Sequence, residues 1–187
     1  MIKTIVQTMR PSFLVLTLAC VFLGLSTSLA TGALIDNTLL TLVFIGALSA
    51  HISVNMLNEY HDFNSGLDFK TKKTPFSGGS GALPKNPKAV KLVLSIALFS
   101  LFITFAIGLY FIATVGVAIV PIGLIGLLII VTYTQWLNRI ALLCLIAPGV
   151  GLGLLMVVGT HIVLTFETSK LVWLISLIPF FLINNLL

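Results

Sequence analysis

Charged residues are scarce in this 187-residue sequence: Asp, Glu, Lys and Arg make up 8% of it, whereas hydrophobic residues make up 58%. A soluble domain carries roughly a quarter charged residues, so this composition excludes a water-exposed surface of ordinary polarity. The apolar runs lack period-two alternation, which excludes the strands of a membrane barrel. The composition therefore predicts an all-α, polytopic transmembrane helical bundle, because a backbone inside lipid must satisfy its own hydrogen bonds.

Several motifs that would indicate other functions are also missing. The two cysteines, Cys20 and Cys144, lie in separate apolar segments, so neither a zinc site nor a disulfide framework is indicated. The Ser-Gly-rich turn at 77–81 lacks the Gly-Lys-Ser/Thr ending of a nucleotide-binding P-loop. Transporters often carry internal repeats. Because 1–90 and 91–187 show no convincing self-similarity, a transporter is the least favoured function.

About six apolar segments have a length suited to a bilayer, which takes about 20 apolar residues per helix. They lie at about 12–33, 38–60, 89–110, 112–133, 140–161 and 171–187. The first run is longer than the usual core of a cleaved signal peptide, which favours a membrane helix. The sequence thus predicts a single membrane domain over 1–187, with one long polar loop at 61–88.

The distribution of basic residues predicts the orientation of the chain. If the N-terminus is cytoplasmic, all ten Lys and Arg residues except Lys170 fall on the cytoplasmic side. Basic residues accumulate in cytoplasmic loops. We therefore expect a multi-pass protein of the cell membrane with a cytoplasmic N-terminus. The net charge of +5 is explained by topology and requires no nucleic-acid partner.

The second apolar segment ends in a polar stripe. Residues at i, i+4, i+7 and i+11 share one face of a helix. Four polar side chains have that spacing: His51, Asn55, Asn58 and Asp62. Polar groups inside a membrane helix are costly and usually line a cavity. The stripe therefore predicts a cavity that opens toward the polar loop.

The residues that follow the stripe suit a hard cation. Gly66 is typical of a helix C-terminal turn, which would bring Asp68 back beside Asp62. Mg²⁺ is commonly held by one or two carboxylates together with substrate phosphates. We therefore predict that the side-chain oxygens of Asn58, Asp62 and Asp68 hold Mg²⁺.

Other polar side chains on the cytoplasmic side are predicted to bind the substrate, because cations and flexible hydroxyl-bearing turns can hold anionic groups. They are Lys70, Lys72, Lys73, Ser77, Arg10, Asn55 and Arg139. On charge alone, a second interpretation remains open. The same residues also fit a polar helix end followed by a positively charged cytoplasmic loop.

The spacing Asn58-x3-Asp62-x5-Asp68, followed by Thr-Pro-Phe-Ser-Gly-Gly-Ser-Gly at 74–81, resembles the first aspartate-rich motif of the UbiA superfamily of membrane prenyltransferases. The residues from Asn58 to Asp62 and the Gly-Leu-Asp at 66–68 are most similar to the branch that contains 1,4-dihydroxy-2-naphthoate prenyltransferase. Further segments similar to that branch are Arg10-Pro11, 131–134, 148–153 and 179–187.

The resemblance implies a nine-helix fold around a central cavity, with one metal-binding motif after helix 2 and another after helix 6. This sequence covers the first five helices of that fold and most of the sixth. The second motif would lie beyond Leu187. We therefore expect the chain alone to be incomplete as an enzyme, with a second chain as one source of the remaining helices.

The activity implied is Mg²⁺-dependent transfer of an isoprenoid chain from a prenyl diphosphate to an aromatic acceptor, as in menaquinone biosynthesis. Asp62, Asp68 and Tyr133 are the predicted catalytic residues, since Tyr133 matches a family position and could face an allylic cation. Trp136 is interpreted as an interfacial anchor. The alternatives are a catalytically inactive relative or partner subunit and, less favoured, a transporter.

The predicted orientation can be tested by cysteine labelling in intact cells. Ser77 falls in the polar loop and Thr168 in an opposite loop. A cysteine introduced at Ser77 should react with a membrane-impermeant thiol reagent only from the cytoplasm, and one at Thr168 only from outside. The reverse pattern would overturn both the orientation and the proposed access of a cytoplasmic diphosphate.

Overall fold

The computed structural model describes residues 1–70, 79–133, 136 and 140–186. Within these residues every regular element is helical, and the predicted all-α membrane bundle is confirmed. Four of the described stretches are long and apolar enough to cross a membrane: Pro11–Ala30, Asn37–Asn64, Pro87–Val115 and Ala141–Thr165. Two shorter apolar stretches are Val117–Thr132 and Lys170–Asn185. The chain is a multi-pass membrane protein.

The helices are numbered in chain order. They are α1 Ile2–Met9, α2 Pro11–Ala30, α3 Asn37–Asn64, α4 Ala82–Lys85, α5 Val90–Val115, α6 Val120–Thr132, α7 Ala141–Pro148, α8 Met156–Thr165 and α9 Lys170–Leu186. A π-helical stretch, Gly149–Leu155, joins α7 to α8. None of the six predicted membrane segments corresponds to α1, because this helix lies before the first apolar run. Helix α3 continues a turn past residue 60, so Asp62 lies on the helix.

The junction between α1 and α2 is set by a proline. Pro11 has no backbone N–H and disfavours a helical conformation at the residue before it. Helix α1 therefore ends at Met9, and Arg10 follows it with a left-handed φ of 53°. Pro11 then begins α2, where no backbone donor is needed. The Asn55 side chain donates from Nδ2 to the Met9 carbonyl at 3.0 Å. This bond ties the junction to α3.

Both ends of α3 have clear physical causes. At its start, Asp36 Oδ1 accepts hydrogen bonds from the backbone N–H groups of Thr38 and Leu39 at 2.6 and 3.1 Å. The bonds from Leu39 and Thr38 lower the pKa of the Asp36 carboxyl, since they favour its charged form. At its end, Gly66 has a φ of 76°. The chain then turns into a short 3₁₀ helix that contains Asp68.

The long helices pack in pairs, with α2 along α8 and α3 along α5. Lipid is as apolar as the side chains, so helix association depends on close packing and interhelical hydrogen bonds. At the α2–α8 contact, His161 is 1% exposed and its Nδ1 lies 3.1 Å from Thr27 Oγ1. A Cβ on Gly24 would lie 2.6 Å from Thr160 Cβ. The side-chain position of residue 24 therefore has room for a hydrogen atom only.

Helix α9 packs equally closely against the π-helical stretch. The Gly149 N–H donates to Asn184 Oδ1 at 2.9 Å. A Cβ on Gly153 would lie 2.5 Å from the Phe180 backbone nitrogen and 2.7 Å from its Cα. Gly153 therefore allows the backbones of the two segments to approach closely, and Gly149 leaves room for the Asn184 side chain.

Replacing Gly153 by alanine should destabilise the bundle by about 1–3 kcal/mol, because backbone atoms of α9 would have to move. The matched control is Gly123→Ala, since a Cβ on Gly123 meets no atom within 4 Å. Heat-induced exposure of the buried thiol of Cys20, followed with a thiol-reactive dye in detergent, reports the unfolding midpoint. Equal midpoints for the two variants would contradict the close α9 contact.

Candidate functional site

The predicted metal ligands lie where α3 ends. Asn58 and Asp62 are one helical turn apart on α3, and Asp68 lies in the 3₁₀ helix that follows Gly66. Asp68 is 6% exposed, and a Cβ on Gly79 would lie 2.8 Å from its Oδ1. The turn at Gly66 thus returns Asp68 to the end of α3. The charged groups of Asp68, Arg10 and Glu59 lie near Asp62.

A buried carboxylate, Glu59, connects three segments of this region. Arg10 donates to Glu59 Oε1 from Nε at 2.9 Å and from Nη2 at 2.6 Å. Ser80 donates its backbone N–H to the same oxygen at 2.6 Å, and its hydroxyl to Oε2 at 2.6 Å. The Glu59 side chain is fully buried. Its charge is stable there because it is both paired and hydrogen-bonded.

Sequence analysis assigned no role to Glu59, although its position in a membrane helix indicated one. An ionisable residue within an apolar membrane helix usually has a partner and a function. Glu59 directly follows Asn58 in the motif and lies next to the polar stripe. The identity of its partners could not be read from spacing, because Arg10 and Ser80 are 49 and 21 residues away.

A polar cavity of about 200 Å³ lies beside this cluster, between α2, α3, α6 and the α7–α8 region. Its polar wall is formed by Arg10, His51, Asn55, Asn58 and Tyr133, and its apolar wall includes Phe13, Leu16, Ile129, Ile130 and Leu152. Three members of the predicted stripe therefore do face a common cavity. The cavity combines one polar side with a larger apolar one.

Two residues of the stripe also join helices. His51 is 4% exposed, and its Nδ1 lies 2.6 Å from Thr17 Oγ1 on α2. Asn55 donates to the Met9 carbonyl, as described above. Each side chain thus lines the cavity and fixes the position of a neighbouring segment, and Asn55 holds the backbone next to Arg10.

The structure describes some of the remaining predicted site residues, and the others lie outside the described part of the chain. Lys70 is exposed at the end of the 3₁₀ helix, and Trp136 is 67% exposed, in keeping with an interfacial position. Tyr133 caps α6 and lines the polar cavity. Four predicted substrate-binding residues lie outside the described residues: Lys72, Lys73, Ser77 and Arg139.

The donor set fits Mg²⁺ of the kind that shares its coordination with a phosphate ligand. Asn58, Asp62 and Asp68 offer one amide and two carboxylates, and Mg²⁺ needs only one or two carboxylates when phosphate oxygens and water complete its shell. In the part of the chain that the structure describes, no three His, Cys, Asp or Glu side chains form a metal cluster by themselves. A site here would therefore depend on the amide and on the ligand.

The motif and most of the cavity wall lie in a region that matches a known family. The profile of the UbiA prenyltransferase family matches residues 14–186, so the chain belongs to this family, and the resemblance seen in the motif is confirmed. The chain is 32% identical over 100 residues to 1,4-dihydroxy-2-naphthoate octaprenyltransferase of Bacillus subtilis (strain 168). That match covers 54% of this chain and 31% of the relative. No solved structure shows a significant match.

Replacing Glu59 by glutamine should lower stability by about 3 kcal/mol, because Arg10 would keep its charge beside a buried side chain that no longer carries one. Glu167→Gln is the matched control, since Glu167 is exposed. Both variants can be compared by thermal unfolding in detergent at neutral pH. If Glu59→Gln and Glu167→Gln unfold at the same temperature, the buried ion pair does not stabilise this region.

Proposed function

We propose that the chain binds a prenyl diphosphate and contributes to a membrane prenyltransferase that transfers the isoprenoid to an aromatic acceptor. The observation that carries the proposal is the position of the motif beside a cavity that has one polar side and a larger apolar side. Asn58 and Arg10 line this cavity, and Asp62 lies one turn beyond Asn58. An amphipathic donor needs this combination of an anion-binding end and an apolar volume.

Arg10 is suited to a double role in binding. A guanidinium has five N–H donors, and Glu59 accepts bonds from Nε and Nη2. The side chain is 21% exposed and lines the cavity. Donors on Nη1 can therefore bind a phosphate oxygen while Glu59 holds the group in place. Because Glu59 offsets the charge of Arg10, the diphosphate needs further cations.

Asn58, Asp62 and Asp68 would hold Mg²⁺, which would neutralise the diphosphate as the bond to the isoprenoid C1 breaks. The allylic carbon would then form a bond to the acceptor ring, which would lose a proton to the released diphosphate. The apolar wall around Ile129 and Ile130 excludes water from the allylic cation. The aromatic ring of Tyr133 can stabilise that cation by about 0.5–2 kcal/mol.

The relative from Bacillus subtilis suggests the acceptor class. Its name specifies 1,4-dihydroxy-2-naphthoate as acceptor and an octaprenyl donor. We propose an acceptor of this kind for the present chain, and hence a role in menaquinone biosynthesis. We also propose that the N-terminus is cytoplasmic, because the basic residues would then lie on the side where soluble diphosphates are found.

Asp62→Asn should weaken Mg²⁺-dependent binding of farnesyl diphosphate by about 100-fold, since a charged ligand to the metal would be lost. Turnover with 1,4-dihydroxy-2-naphthoate should fall similarly in the complete enzyme. The matched control is Asp36→Asn, because Asp36 lies at the opposite end of the same helix and asparagine is also a good N-cap.

Both variants are assayed in lipid vesicles with labelled donor, with Mg²⁺ and with a chelator. Asp36→Asn should bind the donor as the wild type does. Full Mg²⁺-dependent binding by a folded Asp62→Asn protein would refute the metal assignment. Binding that is indifferent to the chelator in the wild type would refute the requirement for Mg²⁺.

A further inference from the structure

Helix α1 exposes two of its apolar residues. Ile2 and Val6 are 79% and 45% exposed, whereas Thr4 and Thr8 are buried against the bundle. Lys3, which is also exposed, lies next to Ile2. Helix α1 directly precedes the membrane-spanning α2. This combination of exposed apolar and cationic side chains is typical of a helix that lies at the boundary between lipid and water.

Helix α4 and the start of α5 lie beside α1. The Asn86 side chain donates from Nδ2 to Thr4 Oγ1 at 3.1 Å. Asn86 follows α4, and the 3₁₀ turn Pro87–Ala89 leads from it into α5. On the inward side of this segment, Leu83 and Val93 are fully buried. The segment therefore presents one face to the bundle and the other to its surroundings.

The outward face of this segment is basic. Its exposed lysines are Lys85, Lys88 and Lys91. Lys3 adds a fourth cation from α1, which packs against α4. We call the surface formed by these four lysines together with Ile2 and Val6 the basic interface. Because Lys88 and Lys91 lie at the first turn of a membrane span, the basic interface lies at the edge of the bilayer.

The positive charge of the basic interface is not neutralised by the protein. Neither 1–35 nor 69–166 contains Asp or Glu. Of the carboxylates at this end of the bundle, Glu59 and Asp68 are buried, and Asp62 is partly buried on α3. Within the described part of the chain, none of the four lysines forms a salt bridge. A cationic cluster at the end of a membrane span attracts anionic lipid headgroups.

We propose that the basic interface binds the headgroups of anionic phospholipids, and that Ile2 and Val6 insert among the upper acyl chains. Lysine stems can follow an apolar surface while their ammonium groups stay at the level of the phosphates. The occupant is assigned by charge complementarity and by the exposed apolar side chains, for which a free phosphate ion has no use. The inference does not depend on the proposed function, because none of these six residues lines the polar cavity.

The test measures the preference of the chain for phosphatidylglycerol over phosphatidylcholine in vesicles of the two lipids. A dye is attached to a cysteine at Leu92, which is 38% exposed beside Lys91, with Cys144 replaced by serine. Either lipid carries brominated acyl chains that quench the dye on contact. The chain with all four lysines should be quenched at a much lower fraction of brominated phosphatidylglycerol than of brominated phosphatidylcholine.

Neutralising the lysines should remove this preference. Lys88→Gln should reduce it by up to about fivefold, which is the effect of one lysine near an anionic surface. Replacing Lys3, Lys85, Lys88 and Lys91 together by glutamine should abolish it. The matched control is Lys170→Gln, because Lys170 is exposed at the start of α9, at the opposite end of the bundle. This control should keep the full preference.

A second measurement tests the insertion of α1 with all four lysines in place. A dye on a cysteine at Val6 should be quenched by brominated acyl chains and protected from iodide in the water phase. A dye at Asn37, which is exposed at the start of α3 at the opposite end of the bundle, serves as the water-exposed reference. Equal quenching of the two dyes by iodide would overturn the interfacial position of α1.

The lipid assignment has three outcomes that would refute it. One is equal quenching by the two lipids when all four lysines are present, and another is an unchanged preference in the four-lysine variant. The third is displacement of phosphatidylglycerol by millimolar inorganic phosphate, which would identify a site for soluble anions. An equal loss in Lys88→Gln and Lys170→Gln would reflect net charge alone and would also contradict the proposal. Loss in Lys88→Gln with full preference in Lys170→Gln supports it.

Discussion

The arrangement of the site depends on the buried carboxylate of Glu59. A charge in an apolar membrane interior is costly unless it is paired and hydrogen-bonded. Glu59 meets this requirement with Arg10 from the α1–α2 junction and Ser80 from the segment before α4. The adjoining Gly79 lies so near Asp68 that a Cβ on it would be 2.8 Å from Asp68 Oδ1. One electrostatic requirement thus brings together the N-terminus, the end of α3 and the predicted metal-binding turn.

Away from this cluster, the bundle is held by short helix-to-helix distances. Apolar burial contributes little to helix association inside lipid. Glycines at 24 and 153 allow backbones to approach closely, and the His161–Thr27 pair joins α8 to α2. Other glycines, at 126 and 151, line the polar cavity instead.

The cavity beside the motif combines a polar side with a larger apolar side. Arg10 and Asn58 form part of the polar wall, and Ile129 and Ile130 form part of the apolar wall. Under the proposed function, the polar wall would meet the diphosphate, and the apolar wall would exclude water from the reacting carbon.

The sequence by itself determined the membrane class, the helical secondary structure and the local face of α3, since these follow from composition, from runs of apolar residues and from helical periodicity. The spacing from Asn58 to Asp68 also identified the family. Only the tertiary structure decided which distant residues satisfy Glu59, that α1 is tied to α3 through Asn55 and Met9, and which residues line the cavity beside the motif. Those features depend on contacts between residues far apart in the chain, and no local pattern encodes which of several polar partners a buried charge will meet.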